Sequence, residues 1–437
     1  MIAMMKDTLG ALTRGWLVPK PIGRVLELAG TIIHIEMTGA SIGDVLSIDT
    51  DAGDVLAEVV GFRDGQLLAV PLQPVRRLAP GAAVRLRGAM STIPVGTALL
   101  GRTVDPFGIP LDGLPMPMCK ARIAIDRAAI PVDQRDEVTT RFDTGLRVID
   151  GVLTCGRGQR VGIFAGAGCG KSVLVEQIAN QADADVIVIG LIGERGREVR
   201  DLLNSKRRDK TIIVAATADR SPLERVRGAQ AATAIAEHFR DRGKNVLLIL
   251  DSLTRFCMAL REVGLALGEP PATKGYPPSV FATLPRLLER VAPRAGGGAI
   301  TGFFTVLVEG DDMADPVADS AKSLLDAHIV LSRDLAGRGH FPAIDVLTSA
   351  SRVAQKVAST TMRQLASSAR SMLARRHQAQ ELQALGAYNP GANPTLDTAL
   401  AIGERFDTWA KQTPQERSDI ESTIRGLASA LGEQLIA

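Results

Sequence analysis

Aromatic side chains are scarce: Phe, Tyr and Trp make up 3% of the 437 residues, with only two tyrosines and two tryptophans. A single-stranded nucleic-acid platform built on aromatic stacking therefore has little to work with. The segment Gly23 to Leu86 carries one aromatic, Phe62, and so lacks the interleaving of aromatic and basic residues that such binding uses. An excess of one charge is also missing, since the net charge is +3, so no whole-chain attraction to nucleic acid is expected. No apolar run approaches the roughly 20 residues a membrane-spanning helix needs, so none is expected to cross a bilayer. The four cysteines (Cys119, Cys155, Cys169, Cys257) show no metal-ligand spacing and follow no secretory signal, which leads to an expectation of reduced thiols in the cytosol. What remains is an ordinary soluble composition, 46% hydrophobic and 23% charged, long enough for two or three domains.

Against that plain background one stretch stands out. Val161-Gly162-Ile163-Phe164 is an apolar strand-like run, Ala165-Gly166-Ala167-Gly168-Cys169-Gly170-Lys171-Ser172 is glycine-rich, and Val173-Leu174-Val175 opens a helical pattern. Strand, glycine loop and helix in that order form a phosphate-binding loop: backbone N–H groups of Gly166 to Gly170 cradle a polyphosphate, Lys171 reaches its outer phosphates, and the Ser172 hydroxyl can ligand Mg²⁺. Ala165 stands where the pattern's first glycine would be, a small change at the strand exit. The backbone N–H groups and Lys171 around Cys169 lead to the expectation of a reactive thiol, one that alkylation would block and MgATP would protect.

Taken in order, Met1 to Leu17 reads either as an amphipathic helix for a membrane surface or partner or as a frayed tail. Short strands follow at Thr31–Ile35, Asp44–Ile48, Val55–Val60 and Leu67–Val70, spaced as in a small β-barrel. Turn formers from Pro94 to Gly113 mark the passage to the core. Beyond the phosphate loop, apolar runs at Val186–Ile192, Thr211–Ala215, Val246–Leu250, Ile300–Val308 and Ala327–Leu331 alternate with helical patterns, which predicts an α/β core around a largely parallel sheet. Past about Val353 the pattern is helical throughout: Met362–Leu385, Thr395–Lys411 and Pro414–Ile436. The cluster Arg370, Arg375, Arg376 reads as a solvated helix face. The domain boundaries expected are 1–20 for the tail, 21–92 for the barrel, 93–355 for the core and 356–437 for an all-α C-terminal domain.

Two carboxylates end apolar runs. Asp251 follows Asn245–Leu250, where a strand end beside the phosphate loop can hold Mg²⁺ through its water shell. Glu194 follows Val186–Ile192, where a carboxylate can polarise an attacking water; the competing reading is a helix-entry Glu paired to Arg197. Phosphoryl transfer also needs positive charge on the migrating group, and Arg352, before the helical region, is a candidate.

The stretches Gly193-Glu194-Arg195-Gly196-Arg197-Glu198-Val199, Asp251-Ser252-Leu253-Thr254-Arg255-Phe256, Gly275-Tyr276-Pro277-Pro278-Ser279-Val280-Phe281, Val308-Glu309-Gly310-Asp311-Asp312, His328 to Arg333 and Pro342 to Leu347 resemble the type III secretion ATPases, which include flagellar export and injectisome members. The resemblance runs from about Gly23 to Ala399. It implies a RecA-type P-loop core with an N-terminal β-barrel and a C-terminal helical domain, assembled as a homohexamer, cytoplasmic and peripheral to the inner membrane. It implies ATP and Mg²⁺ as cofactors, and as partners a stalk and stator, chaperone–substrate complexes and an export gate at the inner membrane, with no nucleic acid.

Carried residue by residue, the resemblance makes Glu194 the catalytic glutamate, Lys171 and Ser172 the phosphate and metal contacts, Asp251 the second metal-side carboxylate and Arg352 a finger reaching a neighbour's nucleotide. Arg195 would face the phosphates, Phe341 would stack on adenine, and Tyr388 would close its other face. Phe341 replaces a usual Tyr, Lys322 a frequent Arg and Ala327 a frequent Gly. Cys169 leans toward injectisome members. Glu194 argues against a non-catalytic ring subunit, the bare barrel against an RNA translocase, and the Gly193–Val199 and Tyr276–Pro278 signatures against a rotary ATP synthase subunit.

Overall fold

The computed structural model describes residues 22–73, 75–89, 92–202 and 208–433. The two readings of Met1 to Leu17 lie outside these residues. Six strands, β1 (Ile22–Ala29), β2 (Ile32–Glu36), β3 (Asp44–Ile48), β4 (Val55–Arg63), β5 (Gln66–Pro71) and β6 (Ala83–Ala89), close into a barrel in the order β1-β2-β5-β4-β3-β6. Alternate residues such as Ile33, Ile35, Leu46, Ile48, Ala57 and Val59 fill it, as the period-2 geometry of strands requires. β1 and β6 were not among the strands the apolar pattern located. Val25 is the single fully buried residue of β1, so it carries almost no alternating signal.

The core holds an eight-stranded sheet: β7 (Thr103–Val104), β8 (Arg160–Ala165), β9 (Val186–Ile192), β10 (Thr211–Ala216), β11 (Asn245–Asp251), β12 (Ala299–Leu307), β13 (Ala327–Leu331) and β14 (Ile344–Ser351). Their spatial order is β14-β13-β8-β12-β11-β9-β10-β7, parallel except for β14, which runs antiparallel to β13. Strands buried on both faces read as continuous apolar runs, and the two faces divide them. Val246, Leu248 and Leu250 of β11 join one apolar layer, with Val226, Ala229, Ala232, Ile235 and Phe239 of the intervening helix. Leu247 and Ile249 join the other, with Leu174, Val175 and Ile178 behind the phosphate loop and Val148, Ile149 and Val152 of α1 (Arg147–Val152). β7 sits inside the stretch read as a turn-rich passage; it adds a parallel edge to β10 through Ile213↔Thr103 and Val214↔Val104. β14 escaped the apolar pattern because Asp345, Thr348, Ser349 and Ser351 make it polar, which an edge strand tolerates.

The phosphate loop leads into α2 (Lys171–Gln181). The C-terminal helices are α3 (Thr360–Ala384), α4 (Pro394–Ala410) and α5 (Ile420–Leu431). They pack on the layer that α1 and α2 cover, through Leu365, Ala369, Ile402, Phe406, Trp409 and Leu427. α5 starts six residues later than Pro414, because the Asp419 side chain accepts from Ser422 N at 2.8 Å and caps it there. The segment left irregular, Lys411 to Ser418, runs along the site described next. Two members of the arginine cluster are structural rather than solvated. Arg370 donates to the carbonyls of Val346 (2.7 Å) and Ser349 (2.9 Å), and Arg376 grips Asp407 in a bidentate pair at 2.8 and 2.6 Å. Arg375 alone is exposed.

Candidate functional site

Adjacent parallel strands bring the chemistry to one edge. β8 pairs with β12 through Ala165↔Leu307, β12 with β11 through Phe304↔Leu250, and β11 with β9 through Asp251↔Leu191. The phosphate loop, Asp251 and the Gly193–Glu194 exit of β9 therefore share the C-terminal edge, where open α/β sheets place ligands. Gly168 and Gly170 hold φ of 82° and 83°, and a Cβ at Gly170 would come within 3.1 Å of the Phe341 ring. Glycine is the residue that satisfies both demands. Gly193 does the same for Glu194: its φ is 69°, and a Cβ there would lie 2.9 Å from Arg255 Cβ.

The Lys171 ammonium bonds the Asp251 carboxylate and lies 3.9 Å from Glu194 Oε1. Asp251 is 3% exposed and also accepts from the Thr305 hydroxyl at 2.5 Å. Glu194 is 8% exposed, and among the described residues its Oε1 has no hydrogen-bond partner. A buried carboxylate oxygen left without a donor is costly unless a ligand or water takes it up. Burial pushes the Glu194 carboxyl above the usual carboxylate range; Lys171 pulls it back, and Asp251 adds to the rise. Working as a base, Glu194 must be ionised, so activity is lost as pH falls through its raised pKa. The acid limb of the pH–rate profile is accordingly expected at higher pH than an exposed glutamate would give, and Glu194→Gln is expected to remove that limb. An acid limb that persists unchanged in Glu194→Gln would assign it to another group.

Ser172 is exposed in the first turn of α2 and Arg195 is exposed beside Glu194, its carbonyl accepting from Glu198 N at 2.9 Å. Phe341, 43% exposed, faces the loop with Val173 and Pro414 beside it. Tyr388 is not brought to this place. Its hydroxyl bonds Asp397 in the first turn of α4, whereas the far end of that helix leads to Gln412 beside Phe341. The helix from Asp397 to its end at Ala410, thirteen steps at 1.5 Å each, separates the two by about 20 Å. Cys169 also departs from expectation. It is wholly buried in the apolar layer behind the loop, so its thiol is shielded and the expected alkylation has no exposed target.

Arg352 lies at the opposite edge. Ala327 pairs with both Val161 of β8 and Ser351 of β14, so Arg352 sits level with the start of β8. It is about 16 Å along the strands and about 10 Å across them from the loop of its own chain. Its side chain is exposed and, among the described residues, has no hydrogen-bond or ion-pair partner; only its main-chain N is engaged, by Asp326 O at 3.0 Å. Thr305 and Gln412 were missed by sequence reasoning. The available signal for Thr305 was a hydroxyl within the apolar run Ile300–Val308, one it shares with Thr301; Gln412, in a loop between helices, offered none.

Comparison with known proteins places this geometry. The nucleotide-binding domain model of the ATP synthase alpha/beta family matches residues 145–351, and the T3SS EscN ATPase C-terminal domain model matches residues 358–429. The chain is 45% identical over 421 residues to the flagellum-specific ATP synthase of Salmonella typhimurium, covering 93% of this chain and 92% of that one. It is 46% identical over 409 residues to the type 3 secretion system ATPase of Sinorhizobium fredii, covering 92% and 90%. The assembled ATPase EscN of the enteropathogenic E. coli type III secretion system superposes with a TM-score of 0.89 at 40% identity, over 94% of this chain and all of that one. The chain is thus an ATPase, and it belongs to the type III secretion ATPase family.

Proposed function

We propose that the chain forms a homohexameric ring at the cytoplasmic face of the inner membrane, where it hydrolyses ATP with Mg²⁺ to release chaperones from export substrates and unfold them. Of the two branches we assign it to an injectisome, with flagellar export as the alternative. The observation that carries the reading is the division of one active site between two sheet edges: Lys171, Asp251 and Glu194 at one, and at the other Arg352, whose side chain has no partner among the described residues. A ring that sets the second edge of one subunit against the first edge of the next would complete the site.

Within it, Lys171 leaves Asp251 for the phosphates, and the loop N–H groups hold them. Ser172 and Asp251 would hold Mg²⁺; the short reach from Asp251 to Lys171 and the orphaned Glu194 oxygen fit a site that receives a cation and a polyphosphate. Bound there, the metal supplies neutralising charge to the phosphates. Glu194 takes the proton of the attacking water as its oxygen bonds phosphorus and the bond to the leaving phosphate oxygen breaks. Arg195 faces the phosphates, and Phe341 stacks on the base. EscN has also been solved in complex with its central stalk EscO, which supports a stalk partner for this chain; the stator, chaperone–substrate complexes and export gate are further partners we assign to it from the family alone.

Shared active sites make turnover depend on assembly. Specific activity is expected to rise steeply with protein concentration, in step with the hexamer fraction measured by light scattering. A specific activity that is flat across a range in which only monomer scatters would overturn the reading.

A further inference from the structure

β12 carries two hydroxyls, Thr301 and Thr305, and they are put to different uses. The Thr301 hydroxyl accepts from Gly158 N at 3.0 Å and ties down the main chain that leads into β8. Thr305 is wholly buried, and its hydroxyl donates to Asp251 Oδ1 at 2.5 Å, with Leu250 O further off at 3.5 Å. Register puts it there: Thr305 and Asp251 each follow the Phe304↔Leu250 pair of β12 and β11, and Thr305 pairs on its other side with Ile163 of β8. Phe303 and Ile249 belong to the apolar layer behind the phosphate loop and Phe304 and Leu250 to the other, so alternation returns Thr305 and Asp251 to the first.

Asp251 Oδ1 therefore has two donors, the Lys171 ammonium and the Thr305 hydroxyl. Nucleotide acts on them differently. Lys171 opens α2 on a flexible side chain and turns to the phosphates, whereas Thr305 is fixed inside the sheet and stays. With the ammonium gone, Thr305 is the one of these two donors left to the oxygen, in a residue only 3% exposed. A buried carboxylate oxygen stripped of its donors is costly, and a hydrogen bond to an ionised acceptor is among the stronger kinds. Holding one carboxylate oxygen also fixes the orientation of the other.

We infer that Thr305 is a positioning residue for nucleotide binding: its hydroxyl holds Asp251 in place when Lys171 leaves it for the phosphates, and so lowers the cost of taking up nucleotide with Mg²⁺. The inference rests on the nucleotide-site reading above. A purely structural threonine would stabilise the protein equally with and without nucleotide. Thr305 contributes most when nucleotide is bound, because Lys171 still serves Asp251 in its absence.

The test uses the full-length protein, with adenylyl imidodiphosphate and Mg²⁺ as the probe. Thr305→Val keeps the shape and removes the donor; Thr305→Ala removes the donor without placing a methyl against the carboxylate. Without nucleotide both are expected to melt close to the wild type. The upward shift in Tm that the probe gives the wild type is expected to shrink in both, and the probe's Kd to rise about tenfold to a hundredfold, the range for groups that orient a metal-side ligand. In turnover, KM for ATP should rise by more than kcat falls. Thr305→Ser, which restores the donor, is expected to recover binding to within about threefold of the wild type. Unchanged affinity in Thr305→Val and Thr305→Ala, whatever their melting temperatures, or a loss of affinity that Thr305→Ser shares in full, would overturn the inference. A wild-type protein that neither shifts nor binds would instead overturn the nucleotide-site reading, and this inference with it.

Discussion

Glu194→Gln is expected to bind ATP as tightly as the wild type, or more tightly, while kcat falls by roughly 10²- to 10⁴-fold. The amide keeps the shape of the carboxylate but cannot accept the proton of an attacking water. Binding should not suffer because the substitution removes a negative charge from a site that must take up an anionic polyphosphate: Glu194 lies 3.9 Å from the Lys171 ammonium and competes with phosphate for it. The fold should not suffer either, since among the described residues Glu194 Oε1 has no hydrogen-bond partner to lose, and its main chain is held independently by Ala218 N donating to Glu194 O at 3.1 Å. Fluorescent-nucleotide titration beside steady-state turnover checks the split. Loss of binding in parallel with turnover would make Glu194 a structural residue, and a kcat within tenfold of wild type would remove it from the proton transfer.

The parts of this site that could be read in the sequence are those whose chemistry is local. The phosphate loop is eight consecutive residues between a strand and a helix, and Asp251 and Glu194 each terminate an apolar run, so strand periodicity alone delivers them to one edge. Groups defined by tertiary contact were not legible. Gln412 reaches Arg147 and Gly145 across more than two hundred residues and meets Phe341 as well, and nothing in Lys411-Gln412-Thr413-Pro414 announces that. Arg370 and Arg376 read as a solvated face because helical spacing does not reveal which carbonyls and carboxylates lie opposite. Cys169 was misjudged for a related reason: its position in the loop suggests exposure, but its side chain is wholly buried in the apolar layer that also holds Leu174, Ile163 and Ala165. β14 was lost because an edge strand can carry Asp345 and Thr348 without fully burying them.

Arg352→Ala is expected to lower kcat by roughly 10³- to 10⁵-fold, the range of an arginine finger, which stabilises charge that develops only in the transition state. A purely structural arginine would instead lower stability when removed. The structure favours the first outcome, because the guanidinium is exposed and, among the described residues, bonded to nothing. Thermal melting of Arg352→Ala should therefore match the wild type. The same geometry forbids the finger from serving its own chain, with the sheet's full depth between Arg352 and Lys171.

That separation is the central claim, and mixing tests it most directly. Arg352→Ala and Lys171→Ala subunits are each expected to be inactive alone. In rings containing both, some interfaces pair an intact phosphate loop from one subunit with an intact finger from its neighbour. Activity restored on mixing, at ratios that track the number of such interfaces, is the predicted result; co-assembled rings that remain inactive at every ratio would contradict it.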